Sequence, residues 1–471
     1  MNLCKTITLA ILALSVAFVQ GGEKTNVLFI AVDDMNTDLN CYGVSEVKTP
    51  NIDKLASEGV LFDRAYCQFP VCGQSRASIM MGLRPNTSGF LGKRDNLRKL
   101  QPEVVTLSQF FMKQGYFSAR VGKIYHYSNP YAIGTNGNDD AASWDERFNP
   151  KGIDRTQEDK ITRYGTMPNP KALGISMAWW DPVSEDTDHT DGKVASQAIE
   201  LIEKHKDSPF FIAVGFFNPH CPYVAPKKYF DLYDIKDIKM EGLESAKEDL
   251  KDVPEMAVTR DSGNWPYFFD GVPSEQARQC KLAYYASISF VDAQVGRIMA
   301  ALKENGLDDN TLVVLWSDHG YFLGEKGLWY KFKNFERSLR SPLIIRGPGI
   351  KGNQVCTRPV ELLDLYPTLA DMTGYQVPSV LEGKSLRPLL ENADSPWAKP
   401  AISQVYHSKE QQGYSIRTKR YRYTEWNGGK AGEELYDHQN DPDEIHNLAS
   451  EPEHKGVKER LKKALSPFVK Y

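Results

Sequence analysis

The chain has 471 residues, of which 41% are hydrophobic and 25% charged, as in a typical soluble globular protein. This length is enough for two to three domains with large buried cores. The 57 Lys and Arg residues are balanced by 61 Asp and Glu residues, giving a formal net charge of −4. This balance excludes the dense basic surface of a broad nucleic-acid-binding protein, but it allows a local basic pocket for one anion.

The seven cysteines are too few for a disulfide scaffold, and no CxxC pair indicates a cysteine-rich zinc site. Residues 1–22 have the pattern of a secretory signal peptide, with Lys5, an apolar run over residues 7–19 and then small residues. The run is shorter than the about 20 apolar residues of a membrane span, although an uncleaved anchor is the alternative. We expect a soluble, exported protein with a periplasmic or extracellular location and no membrane partner. A single sequon at Asn86 favours a bacterial source.

Alternation of apolar runs with helical periods predicts an α/β body with a mostly parallel sheet covered on both faces. Strands that are covered on both faces lose their polar alternation, so continuous apolar runs are predicted to be buried strands. These runs are residues 26–32, 117–121, 210–215, 312–316 and 343–345. The predicted helices are residues 50–56, 106–113, 192–205, 274–304 and 364–372.

Two regions depart from this pattern. Residues 136–186 are rich in Gly, Pro, Asn, Asp and Trp without a clear period, and we interpret them as a long irregular insertion near a functional site. Residues 391–400 contain two prolines and are interpreted as a linker. Beyond the linker, strands are predicted at 401–406 and 414–426, and a helix at 455–465. The predicted organisation is a signal peptide over 1–22, a main domain over 23–390 and an α+β subdomain over 391–471.

Acidic side chains follow two of the predicted strands directly. Asp33 and Asp34 follow the first strand, and Asp318 and His319 follow the strand at 312–316. Open α/β sheets carry their sites at the carboxyl ends of strands. Three carboxylates and an imidazole form a mainly oxygen donor set, which suits a hard divalent cation such as Ca²⁺. Each cluster alone could also be a solvated turn, but two such strand ends make a shared site the better interpretation.

A third cluster is the segment from Cys72 to Arg76, which precedes residues of helical character. A cysteine at a helix N-terminus beside an arginine is expected to have its ionised form favoured. The alternative is a buried structural thiol, the common fate of a free cysteine. Further candidate cations and histidines lie at or near strand ends: Lys123, His126, His220 and Lys331.

Taken in order, these motifs resemble those of the type I sulfatases, and within that family most closely those of the iduronate 2-sulfatases. The motifs are Asp33-Asp34, Cys72-x-x-Ser75-Arg76, Gly122-Lys123-x-x-His126, His220, Ser317-Asp318-His319-Gly320 and Lys331. They span nearly the whole mature chain. The resemblance implies the sandwich of the alkaline phosphatase superfamily: a large mixed, mostly parallel sheet flanked by helices, with a smaller C-terminal α+β domain.

The resemblance also implies a sulfate-ester hydrolase that acts on a sulfated saccharide. Cys72 would be oxidised to formylglycine by a formylglycine-generating or other sulfatase-maturing enzyme. One hydroxyl of the hydrated aldehyde would attack sulfur and expel the alcohol, and the second would collapse to release sulfate. One Ca²⁺ would be held by Asp33, Asp34, Asp318, His319 and the modified Cys72.

The remaining motif residues take roles by charge and chemistry. Arg76, Lys123 and Lys331 would offset the negative charge of the sulfate group. His220 would protonate the leaving oxygen, and His126 would orient the nucleophile and assist its collapse.

Gln74 departs from the family motif, which usually has proline at this position. Conversion of Cys72 depends on this local sequence, so a catalytically silent sulfoglycan-binding protein is one alternative. A phosphonate or phosphate monoester hydrolase of the same superfamily is another.

Overall fold

A computed structural model describes residues 24–92, 95–163, 173–175, 177–240, 246–258 and 274–470. The predicted signal peptide lies outside the described residues, as does part of the predicted insertion over 136–186. No helix in the described part of the chain combines the length and the apolar character needed to cross a bilayer.

Twenty strands are present among the described residues. They are β1 Asn26–Val32, β2 Val60–Phe62, β3 Ala65–Tyr66, β4 Phe117–Gly122, β5 Glu146–Phe148, β6 Thr162–Arg163, β7 Ala178–Trp180, β8 Phe210–Phe216, β9 Tyr223–Val224, β10 Thr311–Ser317, β11 Phe322–Leu323, β12 Trp329–Tyr330, β13 Arg340–Ser341, β14 Leu343–Arg346, β15 Gln354–Cys356, β16 Val360–Glu361, β17 Ala401–Ser408, β18 Gln411–Arg417, β19 Tyr421–Trp426 and β20 Glu433–Asp437.

The same residues form fifteen α-helices, together with short 3₁₀ turns. The helices are α1 Pro50–Glu58, α2 Cys72–Met81, α3 Pro85–Ser88, α4 Leu97–Leu100, α5 Leu107–Lys113, α6 Ile153–Thr156, α7 Thr190–Lys204, α8 Lys227–Phe230, α9 Ala246–Asp249, α10 Glu255–Val258, α11 Ser274–Glu304, α12 Glu336–Leu339, α13 Leu365–Met372, α14 Arg387–Glu391 and α15 Lys455–Leu465.

The main sheet has eight strands in the order β15-β2-β14-β10-β1-β8-β4-β5. Its centre is parallel, because β1 pairs in parallel with both β10 and β8, and β4 pairs in parallel with β8 and β5. Strand β14 is antiparallel to its neighbours β10 and β2. The predicted mixed, mostly parallel sheet is confirmed.

Both faces of this sheet are covered, as continuous apolar strands predict. Successive side chains of a strand point to opposite faces. In β1, Ile30 packs into one core cluster, which also contains residues of α7 and α11, and Phe29 packs into a second one, which contains residues of α2 and α13. The central strands are therefore held rigidly between two helical layers.

Two sequence interpretations need correction. The region 136–186 is not wholly irregular, since β5 belongs to the main sheet and β7 pairs with β6 and β9. The three-residue, polar strand β5 is too short to show an apolar period. The C-terminal region forms a four-stranded antiparallel sheet, β17-β18-β19-β20. The predicted strand at 414–426 is divided between β18 and β19 by a turn, and the sequence interpretation missed the last strand, β20.

A buried ion-pair cluster centred on Glu361 joins the main body to the segment before β17. Its carboxylate accepts two hydrogen bonds from the Arg84 guanidinium, both at 2.7 Å, and pairs with Lys399 at 2.6 Å. It also accepts from the Ile402 backbone N–H at 2.9 Å. Burial alone would raise the pKa of Glu361, but Arg84 and Lys399 outweigh it and hold the value at about 2.

We expect Glu361→Gln to lower the free energy of unfolding by about 3–5 kcal/mol, because it leaves the buried Arg84 guanidinium without its carboxylate partner. Urea unfolding followed by circular dichroism at neutral pH measures this. Glu391→Gln is the matched control, since Glu391 pairs with Arg387 at 2.9 Å on an exposed helix face, and we expect a change below about 0.5 kcal/mol. Equal effects of the two substitutions would contradict the prediction.

Candidate active site

The ends of the central parallel strands bring the predicted site residues to one edge of the main sheet. The register pairs Val32 with Ser317, so Asp33 and Asp318 leave neighbouring strands side by side. Lys123 follows the end of β4 two strands away. Asp33, Asp34, Lys123 and Asp318 are buried. Residues far apart in sequence therefore meet because parallel strands end at a common edge.

Arg76 and Lys123 neutralise the carboxylates rather than facing open space. The Arg76 guanidinium donates to Asp318 Oδ2 at 2.7 Å and to Asp33 Oδ1 at 3.1 Å. Lys123 Nζ donates to Asp33 Oδ2. A further Arg76 nitrogen donates to the Ile124 carbonyl at 3.1 Å. The positive charge of Arg76 therefore acts on the site mainly by holding two carboxylates in place.

Cys72 is the first residue of α2 and lies at the centre of the cluster. Its Sγ is 3.0 Å from Lys331 Nζ, 3.4 Å from His319 Nε2 and 3.5 Å from Asp34 Oδ1. The prediction that its ionised form is favoured is wrong for the encoded thiol. Burial raises the pKa of Cys72 well above its ordinary value, and the carboxylate of Asp33 raises it further.

Hydrogen bonds to backbone carbonyls orient two of the site histidines. His319 Nδ1 lies 2.8 Å from the Gly320 carbonyl, and His220 Nδ1 lies 2.7 Å from the Cys221 carbonyl. A proton on each Nδ1 satisfies these contacts and leaves each Nε2 with a lone pair directed into the cluster. His319 Nε2 is 3.3 Å from Asp34 Oδ1, and His220 Nε2 is 3.6 Å from Asp34 Oδ2.

A cavity of about 270 Å³ opens directly onto this cluster. Cys72, His126, His220 and Lys331 all line it. The His126 ring packs against the Gly73 backbone, since a Cβ built there would meet it at 3.5 Å. Burial, together with the positive charge of Lys123, lowers the pKa of His126 to about 3. Four of the six catalytic residues proposed from the sequence therefore line the cavity, and the other two, Arg76 and Lys123, contact the carboxylate of Asp33 instead.

The cluster fits a metal ion with mainly oxygen ligands. The ligand atoms of Asp34, Cys72, Asp318 and His319 all lie within 4.8 Å of one another, as do those of the overlapping group Asp33, Asp34, Cys72 and His220. Asp34 Oδ2 is buried and lacks a hydrogen-bond partner within the described part of the chain. A buried, unpartnered carboxylate oxygen is costly, and a cation would satisfy it.

Formal charges support the same interpretation. The three carboxylates of Asp33, Asp34 and Asp318 are balanced by Arg76, Lys123 and Lys331. A divalent ion would therefore leave the site with an excess of positive charge, which attracts an anion.

Sequence reasoning missed several residues that hold these groups in place. Asp191, in the first turn of α7, accepts from the backbone N–H groups of Phe217 and Asn218, both at 2.8 Å, and so anchors the segment that leads to His220. Asn129 donates to the carbonyl of His220 at 3.2 Å. The hydroxyl of Tyr284 on α11 donates to the backbone carbonyl of Asp34. No sequence motif predicts these hydrogen bonds, because they depend on three-dimensional proximity alone.

The three tryptophans of the segment 136–186 do not line the cavity. Trp144 is buried in one core cluster, and Trp179 and Trp180 pack against the other. The six cysteines within the described ranges, from Cys41 to Cys356, are all free thiols.

Residues 25–375 match the family described as Sulfatase, and residues 324–470 match the family described as N-sulphoglucosamine sulphohydrolase, C-terminal. A sulfatase of Formosa agariphila is 34% identical over 456 residues, covering 94% of this chain and 86% of the relative. Human iduronate 2-sulfatase is 31% identical over 510 residues, covering 90% of this chain and 91% of the relative.

Solved structures share the fold. A phosphonate monoester hydrolase of Agrobacterium radiobacter superposes with a TM-score of 0.76 at 24% identity, covering 94% of this chain and 95% of that one. A structure in complex with its substrate D-glucosamine-2-N,6-O-disulfate has a TM-score of 0.71 at 23% identity, covering 95% and 97%. The fold is that of the alkaline phosphatase superfamily. The chain belongs to the sulfatase family and is a sulfuric ester hydrolase.

Proposed function

We propose that the protein hydrolyses sulfate monoesters of a sulfated saccharide through a formylglycine formed from Cys72. One observation carries the proposal: Cys72 Sγ lies at the cavity, within 3.5 Å of a cation, an imidazole and a carboxylate that come from three other parts of the chain. A nucleophile in such surroundings can be activated and can have developing charge offset around it. The formylglycine hydrate, when present, would supply the attacking hydroxyl.

We assign one Ca²⁺ to this site, with Asp33, Asp34, Asp318, His319 and the modified Cys72 as the residues that would hold it. Three carboxylates and one imidazole suit a hard cation that accepts mainly oxygen ligands. When bound, the ion would act as a Lewis acid on a sulfate oxygen and favour the ionised form of the nucleophile.

We assign the remaining catalytic roles to Lys331, His220 and His126. Lys331, which donates to Cys72 Sγ at 3.0 Å, would offset negative charge on the sulfate group. His220 would protonate the leaving oxygen from Nε2 in its doubly protonated form, since its Nδ1–H is held by the Cys221 carbonyl and the second proton can be taken up only at Nε2. His126 lines the cavity and packs against Gly73, the residue that follows Cys72. It would orient the nucleophile and assist its collapse.

The saccharide assignment rests on relatives and on the cavity. Human iduronate 2-sulfatase is a family member of similar length, and a structure of the same fold holds a disulfated glucosamine as its substrate. Tyr131 lines the cavity and is 42% exposed, with its hydroxyl accepting from the Leu173 N–H at 3.1 Å. An exposed aromatic ring fixed in this way could pack on the face of a sugar.

Mass spectrometry of the peptide that contains Cys72 tests the nucleophile. Formylglycine has lost the thiol sulfur and gained an aldehyde oxygen, so we expect the peptide from the native host to be lighter than encoded. Peptides containing Cys221 or Cys356 serve as internal controls and should keep their encoded masses. An unmodified Cys72 in an active preparation would overturn the proposal.

A phosphonate or phosphate monoester hydrolase is the second candidate, because phosphonate monoester hydrolases superpose on the chain with TM-scores of 0.76. A phosphonate monoester is an anionic ester similar in shape to a sulfate monoester. Matched aryl sulfate, phosphate and phosphonate esters separate the two functions. We expect the highest kcat/KM for the sulfate or for its sugar equivalents, and a clear preference for phosphorus esters would favour the second candidate.

The third candidate, a silent sulfoglycan-binding protein, follows from Gln74. Its side-chain amide donates to the Leu91 carbonyl at 2.9 Å, and the residue is 2% exposed, so the folded chain accommodates glutamine at this position of α2. We assign the conversion of Cys72 to a formylglycine-generating or other sulfatase-maturing enzyme. We further propose export through residues 1–22, and domains over 23–390 and 391–471.

A further inference from the structure

The backbone turn after β1 directs two adjacent side chains, those of Asp33 and Asp34, toward the same site. Adjacent side chains of a strand point to opposite faces, yet the carboxylates of Asp33 and Asp34 lie within 4.8 Å of each other as possible metal ligands. The chain resolves this by placing Asp34 in the left-handed region, at φ 60°. Residues other than glycine adopt this conformation uncommonly, with Asn and Asp the most tolerant. Contacts from outside the turn can therefore decide whether Asp34 keeps it.

One hydroxyl group bridges this turn. Tyr284 Oη donates to the Asp34 carbonyl at 2.7 Å and accepts from the Asn36 N–H at 2.8 Å. The two contacts fix the backbone on both sides of Met35. Because the same oxygen gives and receives a hydrogen bond, neither group of the turn is left buried without a partner.

Tyr284 is itself held rigidly. It lies on α11, is fully buried and stacks on Tyr321 with ring centroids 5.4 Å apart at 21°. The Tyr223 ring packs edge-on against it at 5.7 Å and 88°. The ring therefore cannot follow the turn if the turn relaxes, and the hydroxyl acts as a fixed reference point for the Asp34 backbone.

We propose that Tyr284 is a positioning residue that holds Asp34 in the conformation required to bind the metal ion. This inference deepens the proposed function and rests on it. Tyr284 contacts neither the cavity lining nor Cys72 in the described part of the chain; it acts through the Asp34 backbone. Its hydroxyl proton is committed to the Asp34 carbonyl, so it serves no proton-transfer role.

Tyr284→Phe tests the proposal, with Tyr223→Phe as the matched control. Tyr223 belongs to the same buried aromatic group, and its hydroxyl bonds to Tyr321 Oη at 2.9 Å rather than to the Asp34 turn. Calorimetric titration of the metal-free, full-length proteins with Ca²⁺ alone measures affinity. We expect Tyr284→Phe to weaken Ca²⁺ binding at least tenfold and Tyr223→Phe to change it less than twofold.

A second readout separates positioning from a general loss of stability. Raising Ca²⁺ to saturation should restore most of the kcat of Tyr284→Phe, and the metal-free variant should keep the near-ultraviolet circular dichroism of the wild type. Because Ca²⁺ would also rescue a partly unfolded protein by mass action, a loss of this metal-free signal in step with the loss of affinity would assign the effect to unfolding and overturn the inference. An unchanged Ca²⁺ affinity in Tyr284→Phe, or an equal loss in Tyr223→Phe, would overturn the inference. Wild-type protein that fails to bind Ca²⁺ at all would instead refute the metal assignment under the proposed function.

If Tyr284→Phe does not fold, 4-aminophenylalanine at position 284 replaces it. The amine keeps the donor to Asp34, but its nitrogen is a weak acceptor for the Asn36 N–H. We expect Ca²⁺ affinity to fall at least threefold while the melting temperature stays near that of the wild type. Unchanged affinity in this variant would contradict the proposal equally.

Discussion

Cys72→Ala is expected to abolish sulfate-ester turnover. Alanine can form no aldehyde and no covalent intermediate, so kcat should fall by at least about four orders of magnitude, as when the nucleophile of a covalent catalyst is removed. Relative to the encoded cysteine, the change deletes only a sulfur atom from a position that is 2% exposed. Initial rates with an aryl sulfate and with a sulfated saccharide measure the loss.

The control for this experiment is Cys356→Ala. Cys356 is equally buried, in strand β15 at the edge of the main sheet, so its truncation carries a comparable packing cost without touching the site. We expect near-wild-type kcat for this variant. A Cys72→Ala protein that retains more than a trace of activity would refute formylglycine catalysis.

His220→Ala should slow the enzyme by an amount that depends on the leaving group. With a sugar sulfate, whose alkoxide leaves poorly without a proton, we expect kcat to fall by about 10²–10⁴-fold, the usual contribution of a general acid. With 4-nitrophenyl sulfate, whose leaving group is stable as an anion, we expect a much smaller loss. The ratio of the two effects is therefore the measurement.

His126→Ala provides the comparison for His220. His126 packs against Gly73, on the side of the nucleophile, and also lines the cavity. If it acts on the nucleophile, its removal should slow both substrates by a similar factor. A His220→Ala variant that also slows both substrates equally would show that His220 does not protonate the leaving oxygen.

Long, strongly patterned elements could be predicted from the sequence. The apolar run at Asn26–Val32 and the helices at Ser274–Glu304 and Lys455–Leu465 have the predicted bounds. The short strands β5 and β20 could not be predicted, because three to five residues with charged side chains carry too little periodic signal. Their pairing depends on neighbours supplied by the rest of the fold.

The site residues, too, could be predicted only where the sequence carries a clear pattern. Motif residues at strand ends were predicted to converge, and parallel register brings them together. Ionisation of the Cys72 thiol was predicted wrongly, because helix position is visible in a sequence, whereas burial beside Asp33 and Asp34 is not. Tyr284 could not be found either, since its hydroxyl meets a backbone 250 residues away in the sequence.

The pairing of β1 between β8 and β10 also has a consequence for folding kinetics. Strand β1 pairs with β8 and β10, which are synthesised about 180 and 280 residues later. The sheet therefore has a high contact order and is expected to fold slowly. Lys331 joins Asp34 across 297 residues. A chain that ends before Lys331 lacks a residue of the proposed active site. A nascent chain is therefore expected to have no catalytic activity until about 70% of the sequence has been synthesised.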